Sequence, residues 1–275
     1  MISPKDKHAT SGILENMTIA DVQAFGAEVV VIPLGSTEPH GPHLPYGTDT
    51  LIVDSVTEEA VRRANTNGAR ILRLPTLPIG NNVNFKAFPF ACRIRVETLM
   101  AVLMDLVSFL REEGIRKIVI VNSHGGNDDA IKAGLRQIHD RYQREVFVCA
   151  CGPGNFAGDE YKKHFKDSSP HAGEYETSMI QRIAPDLVVE PALQPVAMKQ
   201  PAVSALASRA VEWVRPWHEF MPTSCGGRPD LASAEKGEHF LEASAAGLAR
   251  FLEELSKAPW HRSFPYPPED SSNSN

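Results

Sequence analysis

The chain has 275 residues, of which 42% are hydrophobic and 23% are charged, and its formal net charge is -6 at pH 7. This composition is typical of a globular protein with a sizeable core. An acidic chain without a cluster of lysines and arginines is not expected to bind nucleic acid or an anionic membrane. We therefore expect a small-molecule partner.

Cysteine spacing and the N-terminal segment exclude further classes of protein. Cys149 and Cys151 form a C-x-C pair in the apolar run VFVCAC, which predicts a buried strand rather than a disulfide framework or a zinc ribbon. The N-terminus has no apolar signal core, and no run approaches about 18 consecutive apolar residues. We expect a cytoplasmic protein with no membrane-spanning segment.

Short apolar runs alternate with longer segments of helical period, which predicts an α/β fold with a mainly parallel sheet covered by helices on both faces, a three-layer αβα sandwich. The predicted strands cover 28–34, 69–77, 117–123 and 145–151. The predicted helices cover 48–65, 95–113, 128–142, 156–165, 172–183 and 231–255. We expect one domain over 1–265 and a disordered tail over 266–275, where the composition becomes polar.

The segment GSTEPHGPHLPYGTD follows the first strand and contains Glu38, His40, His43 and Asp49. In an extended Glu-Pro-His stretch the side chains of Glu38 and His40 project to the same side. Asp49 stands at the start of the next helix, where a carboxylate is ordinarily an N-cap and a metal ligand is the alternative.

The segment NSHGGND follows the third predicted strand and contains His124. A single histidine after a strand usually has no role beyond that of a polar residue near the start of a helix. In an open α/β sheet, however, ligands bind beyond the carboxyl ends of the strands, where the first loop also lies. Carboxylates and imidazoles from two such loops suit Zn, Mn or Fe.

A third segment, SPHAGEYETSMI, contains His171, Glu174 and Glu176. The two glutamates could be no more than favourable charges at a helix N-terminus. His171 has no such structural explanation if it points the same way as they do.

Two other features concern the substrate. The loop GNNVNFKAFPFACR holds Asn82, Asn84 and Lys86, which form either a solvated loop or a pocket of amide donors and acceptors. Trp213 and Trp217 are spaced i, i+4, which favours core packing over a substrate platform.

Together the three polar segments and a fourth, GGRPDLASAEKGE, resemble the creatininase (creatinine amidohydrolase) family over about residues 29–255. The resemblance implies a three-layer αβα fold, two divalent metal ions per chain (Zn, Mn or Fe) and a homohexamer assembled as a trimer of dimers. It also implies that Glu38 and His40 bind different metals, that Asp49 bridges them, that His124 joins the metal of Glu38, and that His171 moves protons.

One position departs from the family pattern. Creatinine-hydrolysing members have a glutamate two positions after the histidine that corresponds to His124, whereas this chain has Gly126. Glu176 is the predicted replacement ligand and Glu174 the alternative. In the same comparison, Phe85 takes the place of a histidine found in many members.

The resemblance implies a hydrolase in which a metal-activated water attacks the carbonyl of a small polar cyclic amide or a related compound. One alternative is C–C hydrolysis of a cyclic diketone from inositol or sugar catabolism, of the dehydro-inosose type. The other is a non-catalytic metabolite-binding scaffold.

Overall fold

The computed structural model describes residues 11–169, 171–208 and 210–268. Its sheet has four parallel strands in the order β2-β1-β3-β4. These strands are β1 (Val29–Leu34), β2 (Ile71–Arg73), β3 (Lys117–Asn122) and β4 (Phe147–Cys151). The described helices are α1 (Ile19–Phe25), α2 (Thr48–Thr66), α3 (Val96–Glu112), α4 (Asp128–Tyr142), α5 (Gly158–His164), α6 (Glu174–Ile183), α7 (Ser204–Ala207), α8 (Trp217–Phe220) and α9 (Ala234–Lys257).

Side chains of the central strands β1 and β3 point alternately to the two faces of the sheet, which divides the core into two parts. Val29, Val31, Val119 and Val121 pack with α2, α6 and α9 on one face of the sheet. The side chains between them in β1 and β3 pack with α3 and α4 on the other face. Because side chains alternate along a strand, both faces are covered, and the predicted three-layer αβα fold is confirmed.

Some predicted boundaries differ from the observed ones. The second strand was predicted over 69–77, but β2 covers only Ile71–Arg73, since Pro75 has no N–H for the ladder. The chain still follows β1, because the N–H groups of Leu74 and Leu77 donate to carbonyls of that strand at 2.9 and 3.1 Å. The helix predicted from residue 172 begins at Glu174, since Ala172 has φ +51°. The tail predicted over 266–275 lies mostly outside the described residues.

The sheet brings the carboxyl ends of β1 and β3 together. Leu34 pairs with Asn122 at the end of the ladder, and the N–H of Ser123 donates to the carbonyl of Leu34 at 3.0 Å. The two loops that the sequence identifies as polar therefore leave the sheet side by side. None of the described helices is both long enough and apolar enough to cross a membrane.

Lys117 joins the start of β3 to the end of the last helix. Its side chain is buried, and Nζ donates to the carbonyls of Leu255 at 2.7 Å and Ser256 at 3.2 Å. The last carbonyls of a helix have no partner within the helix, so this ammonium group serves as their donor.

We predict that Lys117→Met lowers the free energy of unfolding by about 1–3 kcal/mol, because buried carbonyls at the end of α9 lose their donor. Urea denaturation measures the change. Lys257→Met removes an exposed lysine at the same helix end and is expected to change stability by less than about 0.5 kcal/mol. Equal effects of the two substitutions would contradict this role of Lys117.

Candidate metal centre

The loop between β1 and α2 supplies three buried polar side chains. Glu38, His40 and Asp49 are between 0 and 2% exposed. The N–H of Glu38 donates to the carbonyl of Tyr46 at 3.0 Å, which folds the loop back on itself and brings its two ends together. Glu38 and His40 then face Asp49 in the first turn of α2.

The loop after β3 supplies His124, which is also buried. Ser123 ties this loop to the first one, since its hydroxyl donates to the backbone carbonyl of Asp49 at 2.6 Å. As a result, Nδ1 of His124 lies 3.2 Å from Oε2 of Glu38 and 3.4 Å from Oδ2 of Asp49.

Helix α6 contributes Glu176, whereas Glu174 turns away from the centre. Oε2 of Glu176 lies 3.8 Å from Nε2 of His40. The carboxylate of Glu174 accepts from the backbone N–H groups of Lys166 and Asp167, each at 2.8 Å, and pairs with Lys236. Glu174 therefore holds the loop that leads to His171, and its carboxylate is already fully engaged.

Backbone carbonyls fix the orientation of three imidazoles. Nδ1 of His40 lies 3.1 Å from the carbonyl of Glu38, Nε2 of His124 lies 3.0 Å from that of Asn81, and Nε2 of His171 lies 2.8 Å from that of Pro39. A carbonyl can only accept, so each of these ring nitrogens carries the hydrogen in the neutral ring. The other nitrogen of each ring then directs a lone pair towards the centre, as in metal sites whose histidines are oriented from outside.

Asp49 lies between two groups of candidate ligands. Its carboxylate belongs to one group with Glu38 and His124 and to a second group with His40 and Glu176. A third group contains Glu38, His40 and His171, and Nδ1 of His171 lies 3.7 Å from Oε1 of Glu38. Within each group the potential ligand atoms lie within 4.8 Å of one another.

Several of these atoms are buried and have no hydrogen-bond partner among the described residues, namely Oε2 of Glu38, Nε2 of His40 and Oδ2 of Asp49. Burying polar atoms without partners is unfavourable. Cations in the two groups that share Asp49 would satisfy these atoms, and carboxylate and imidazole ligands without thiolate fit Zn, Mn or Fe. The described residues therefore fit the predicted metal centre.

The pKa values show how strongly the centre favours positive charge. Burial alone would lower the pKa of His40, but the carboxylates of Asp49, Glu176 and Glu38 raise it to about 10. His124 responds in the same way: burial would lower its pKa, and Glu38 and Asp49 raise it well above its ordinary value. Burial raises the pKa of Glu176 to about 7, although His40 opposes the change.

His171 behaves differently. Burial, followed by the positive charge of His40, lowers its pKa well below the ordinary value. A neutral ring with its hydrogen on Nε2 leaves Nδ1 free to accept a proton. His43, the other histidine of the first loop, does not face the centre, since its Nε2 lies 3.1 Å from both the carbonyl of Ala172 and the hydroxyl of Thr177.

Gly126 stands where a side chain would clash with the site. A Cβ atom there would lie 2.2 Å from the carbonyl oxygen of Asn81 and 2.3 Å from Nε2 of His124, the two atoms that hydrogen-bond to each other. Gly125 has no neighbouring atom within 4 Å of a Cβ. A glutamate at position 126 is thus incompatible with the way His124 is held.

A cavity of about 480 Å³ opens onto the centre. Its walls include the candidate ligands Glu38, Asp49, His124 and Glu176, together with His171. Of the three side chains predicted to bind substrate, only Asn84 lines the cavity. Asn82 is fully buried, and its amide bonds to Ser36, Thr37 and Cys92, while Lys86 is exposed outside the cavity wall.

The wall of the cavity beside His171 is apolar, which the sequence analysis missed. Phe85, Trp213 and Trp217 line it together with Val83, Val96 and Val214. The interpretation of both tryptophans as core residues is wrong, because Trp213 is 41% exposed and both rings line the cavity. The position of Phe85 in the loop GNNVNFKAFPFACR, where many family members have a histidine, was the one signal that could have indicated this wall.

Three curated relatives carry names of different activities. The chain is 30% identical over 223 residues to a mycofactocin precursor peptide peptidase from Mycobacterium ulcerans, covering 77% of this chain and 79% of that protein. It is 26% identical to a creatinine amidohydrolase from Pseudomonas putida, over 84% and 91% of the two chains. It is 22% identical to a 3-dehydro-scyllo-inosose hydrolase from Thermotoga maritima, over 83% and 76%.

Solved structures have the same fold. A protein from Bacteroides fragilis described as a creatinine amidohydrolase superposes with a TM-score of 0.83 at 30% identity, over 92% of this chain and 99% of that one. Creatininases at 22% identity, with TM-scores of 0.74, include a form named for Mn and a mutant named as the Zn-Zn type.

The family model described as creatinine amidohydrolase matches residues 15–252, which is most of the chain. This match includes the strand ends and the three polar segments that form the candidate metal centre. The chain therefore belongs to the creatininase family of metal-dependent hydrolases.

Proposed function

We propose that this chain is a dinuclear metal-dependent amidohydrolase that breaks a C–N bond next to a carbonyl. The observation that carries the proposal is the position of the Asp49 carboxylate between two ligand groups, one with Glu38 and His124 and the other with His40 and Glu176. Two divalent cations there would act as Lewis acids that polarise the carbonyl and lower the pKa of a water molecule.

His171 is the proposed acid and base. Its Nε2 hydrogen is held by the carbonyl of Pro39, and the hydroxyl of Ser224, which donates to the same carbonyl at 2.7 Å, supports this arrangement. Nδ1 can accept a proton as water adds to the carbonyl carbon. The same nitrogen can return that proton to the leaving nitrogen when the C–N bond breaks, which is the task of a single positioned imidazole.

The C–C hydrolysis of a cyclic polyhydroxylated diketone is the second candidate, and the name of the Thermotoga maritima relative supports it. The cavity favours it less. A polyhydroxylated ring requires many polar partners, whereas the amide of Asn82 bonds within the protein and the cavity wall beside His171 is apolar. A non-catalytic scaffold is not favoured either, since all five predicted ligands converge.

The sequence-based expectation of a homohexamer in the cytoplasm remains part of the proposal. Exposed apolar side chains between residues 187 and 214 are compatible with contacts between subunits, and include Leu187, Val189, Val203, Val211 and Val214.

The metal content of two glutamate variants tests the ligand set. We expect about two Zn, Mn or Fe per chain in the wild type and about one in Glu176→Gln, because the group with His40 and Asp49 loses one of its two carboxylates. In Glu174→Gln we expect the content to stay at about two while the protein becomes less stable, since Glu174 holds backbone N–H groups. Elemental analysis measures the metals, and the opposite pattern would make Glu174 the ligand.

Substitutions of two adjacent glycines provide a second test of the proposed metal centre. Gly126→Ala is expected to displace His124 and lower the metal content towards one per chain, because its Cβ would overlap Asn81 and His124. Gly125→Ala adds the same methyl group into open space and is expected to keep the wild-type content. If both variants bind metal like the wild type, His124 is not held as described.

The role of His171 is tested by turnover. His171→Gln is expected to lower kcat by about 10²–10⁴-fold on an amide that the wild type hydrolyses, selected from lactams, formamides and dipeptides. Its metal content and thermal midpoint should match those of the wild type. A variant with full activity would contradict the acid and base role.

A further inference from the structure

An aromatic wall lies directly beside the candidate metal centre. The wall consists of Phe85, Trp213 and Trp217. The rings of Phe85 and Trp217 are stacked, with centroids 5.0 Å apart and an angle of 17° between their planes. Phe85 lies 5.1 Å from the ring of His171, and Trp217 lies 5.1 Å from the same ring, edge to face. The wall thus begins at the residue that we assign to proton transfer.

Trp217 has a further property that core packing does not explain. Its indole N–H is buried and has no hydrogen-bond partner among the described residues. Indole nitrogen atoms usually find an acceptor when they are buried. The ring of Trp217 is therefore placed by its aromatic contacts and not by a hydrogen bond to a described residue.

The wall also extends past the metal centre. A second cavity of about 610 Å³ shares Asn84, Asp129, Trp213, Val214 and Trp217 with the first one. The shared residues make the two cavities neighbouring compartments along the same wall. A substrate consisting only of a small polar ring would leave most of this space and the aromatic faces uncovered.

We propose that the aromatic wall binds a flat apolar group of the substrate, such as an aromatic side chain attached close to the reacting carbonyl, and that Trp217, supported by the buried ring of Phe85, thereby determines specificity. This inference rests on the proposed amidohydrolase function. It changes the expected substrate from a small polar cyclic amide to an amide that carries an aromatic or similarly flat substituent. Flat rings favour offset stacking on tryptophan and phenylalanine, and their burial favours binding further.

Two hydroxamates distinguish the wall from the metal centre. Glycine hydroxamate and L-phenylalanine hydroxamate present the same metal-binding group and differ by the benzyl side chain. We expect metal-loaded wild-type protein to bind the phenylalanine compound at least about tenfold more tightly, as measured by calorimetry, since burial of an aromatic ring favours binding by this order.

Substitutions in the aromatic wall should change only the ratio of the affinities for the two hydroxamates. In Trp217→Ala the ratio is expected to fall below about threefold, whereas the affinity for glycine hydroxamate and the metal content remain unchanged. Trp217→Phe keeps a ring at this position and is expected to retain most of the preference. Phe85 is only 2% exposed, so Phe85→Leu provides a milder variant that preserves the packing volume. Phe90→Ala, in the same loop but 90% exposed, is the control and should keep the full ratio.

The outcomes separate the inference from the proposed function. Equal affinities of the wild type for the two hydroxamates would overturn the inference and leave the metal centre intact. A preference that survives both Trp217→Ala and Phe85→Leu would overturn the assignment to this wall. If neither compound binds metal-loaded protein, the proposed function fails, and the inference fails with it.

Discussion

Three hydrogen bonds from histidines to backbone carbonyls determine the chemistry of this centre. His40, His124 and His171 each donate from the outer ring nitrogen, so each neutral ring directs a lone pair inwards. The carboxylates of Glu38, Asp49 and Glu176 face the same volume, and within the described part of the chain only that of Glu176 accepts from a backbone donor, the N–H of Ala172. Protons compensate the negative charge, which is why the pKa values of His40 and His124 are raised, and metal cations would do so more effectively because one ion can contact several atoms.

Much of the fold and part of the candidate site could be predicted from short patterns in the sequence. Apolar runs with β-branched residues predicted β1, β3 and β4 close to their observed positions, and the rule that ligands gather at the carboxyl ends of parallel strands identified two loops whose polar side chains converge in the structure. The choice between Glu174 and Glu176 could not be made in this way. Residues two apart on a helix point to nearly opposite sides, so the answer depends on where α6 begins, and the left-handed conformation of Ala172 determines that.

The substrate side was harder to predict because its residues act through long-range packing. Asn82 resembles a substrate donor in the sequence, yet the fold uses its amide to hold the chain at Ser36, Thr37 and Cys92. The spacing of Trp213 and Trp217 indicates a helix face only if the chain between them is helical. Pro216 disfavours the helical conformation of the residue before it, and α8 begins at Trp217, so the two tryptophans line a cavity instead.

The lack of a side chain at Gly126 and the proposed role of Glu176 both follow from the way in which His124 is packed. The space that a side chain at position 126 would need holds the carbonyl of Asn81, which orients His124, so a fifth ligand of the proposed centre has to come from elsewhere. In our proposal helix α6 supplies it, and α6 packs against α2 and α9 on one face of the sheet. The proposed centre therefore joins segments near residues 38–49, 124 and 176, which only the folded chain brings together. Ligands that bind only the folded state stabilise it in proportion to the logarithm of their concentration, so metal binding to the proposed centre would be thermodynamically linked to the docking of α6.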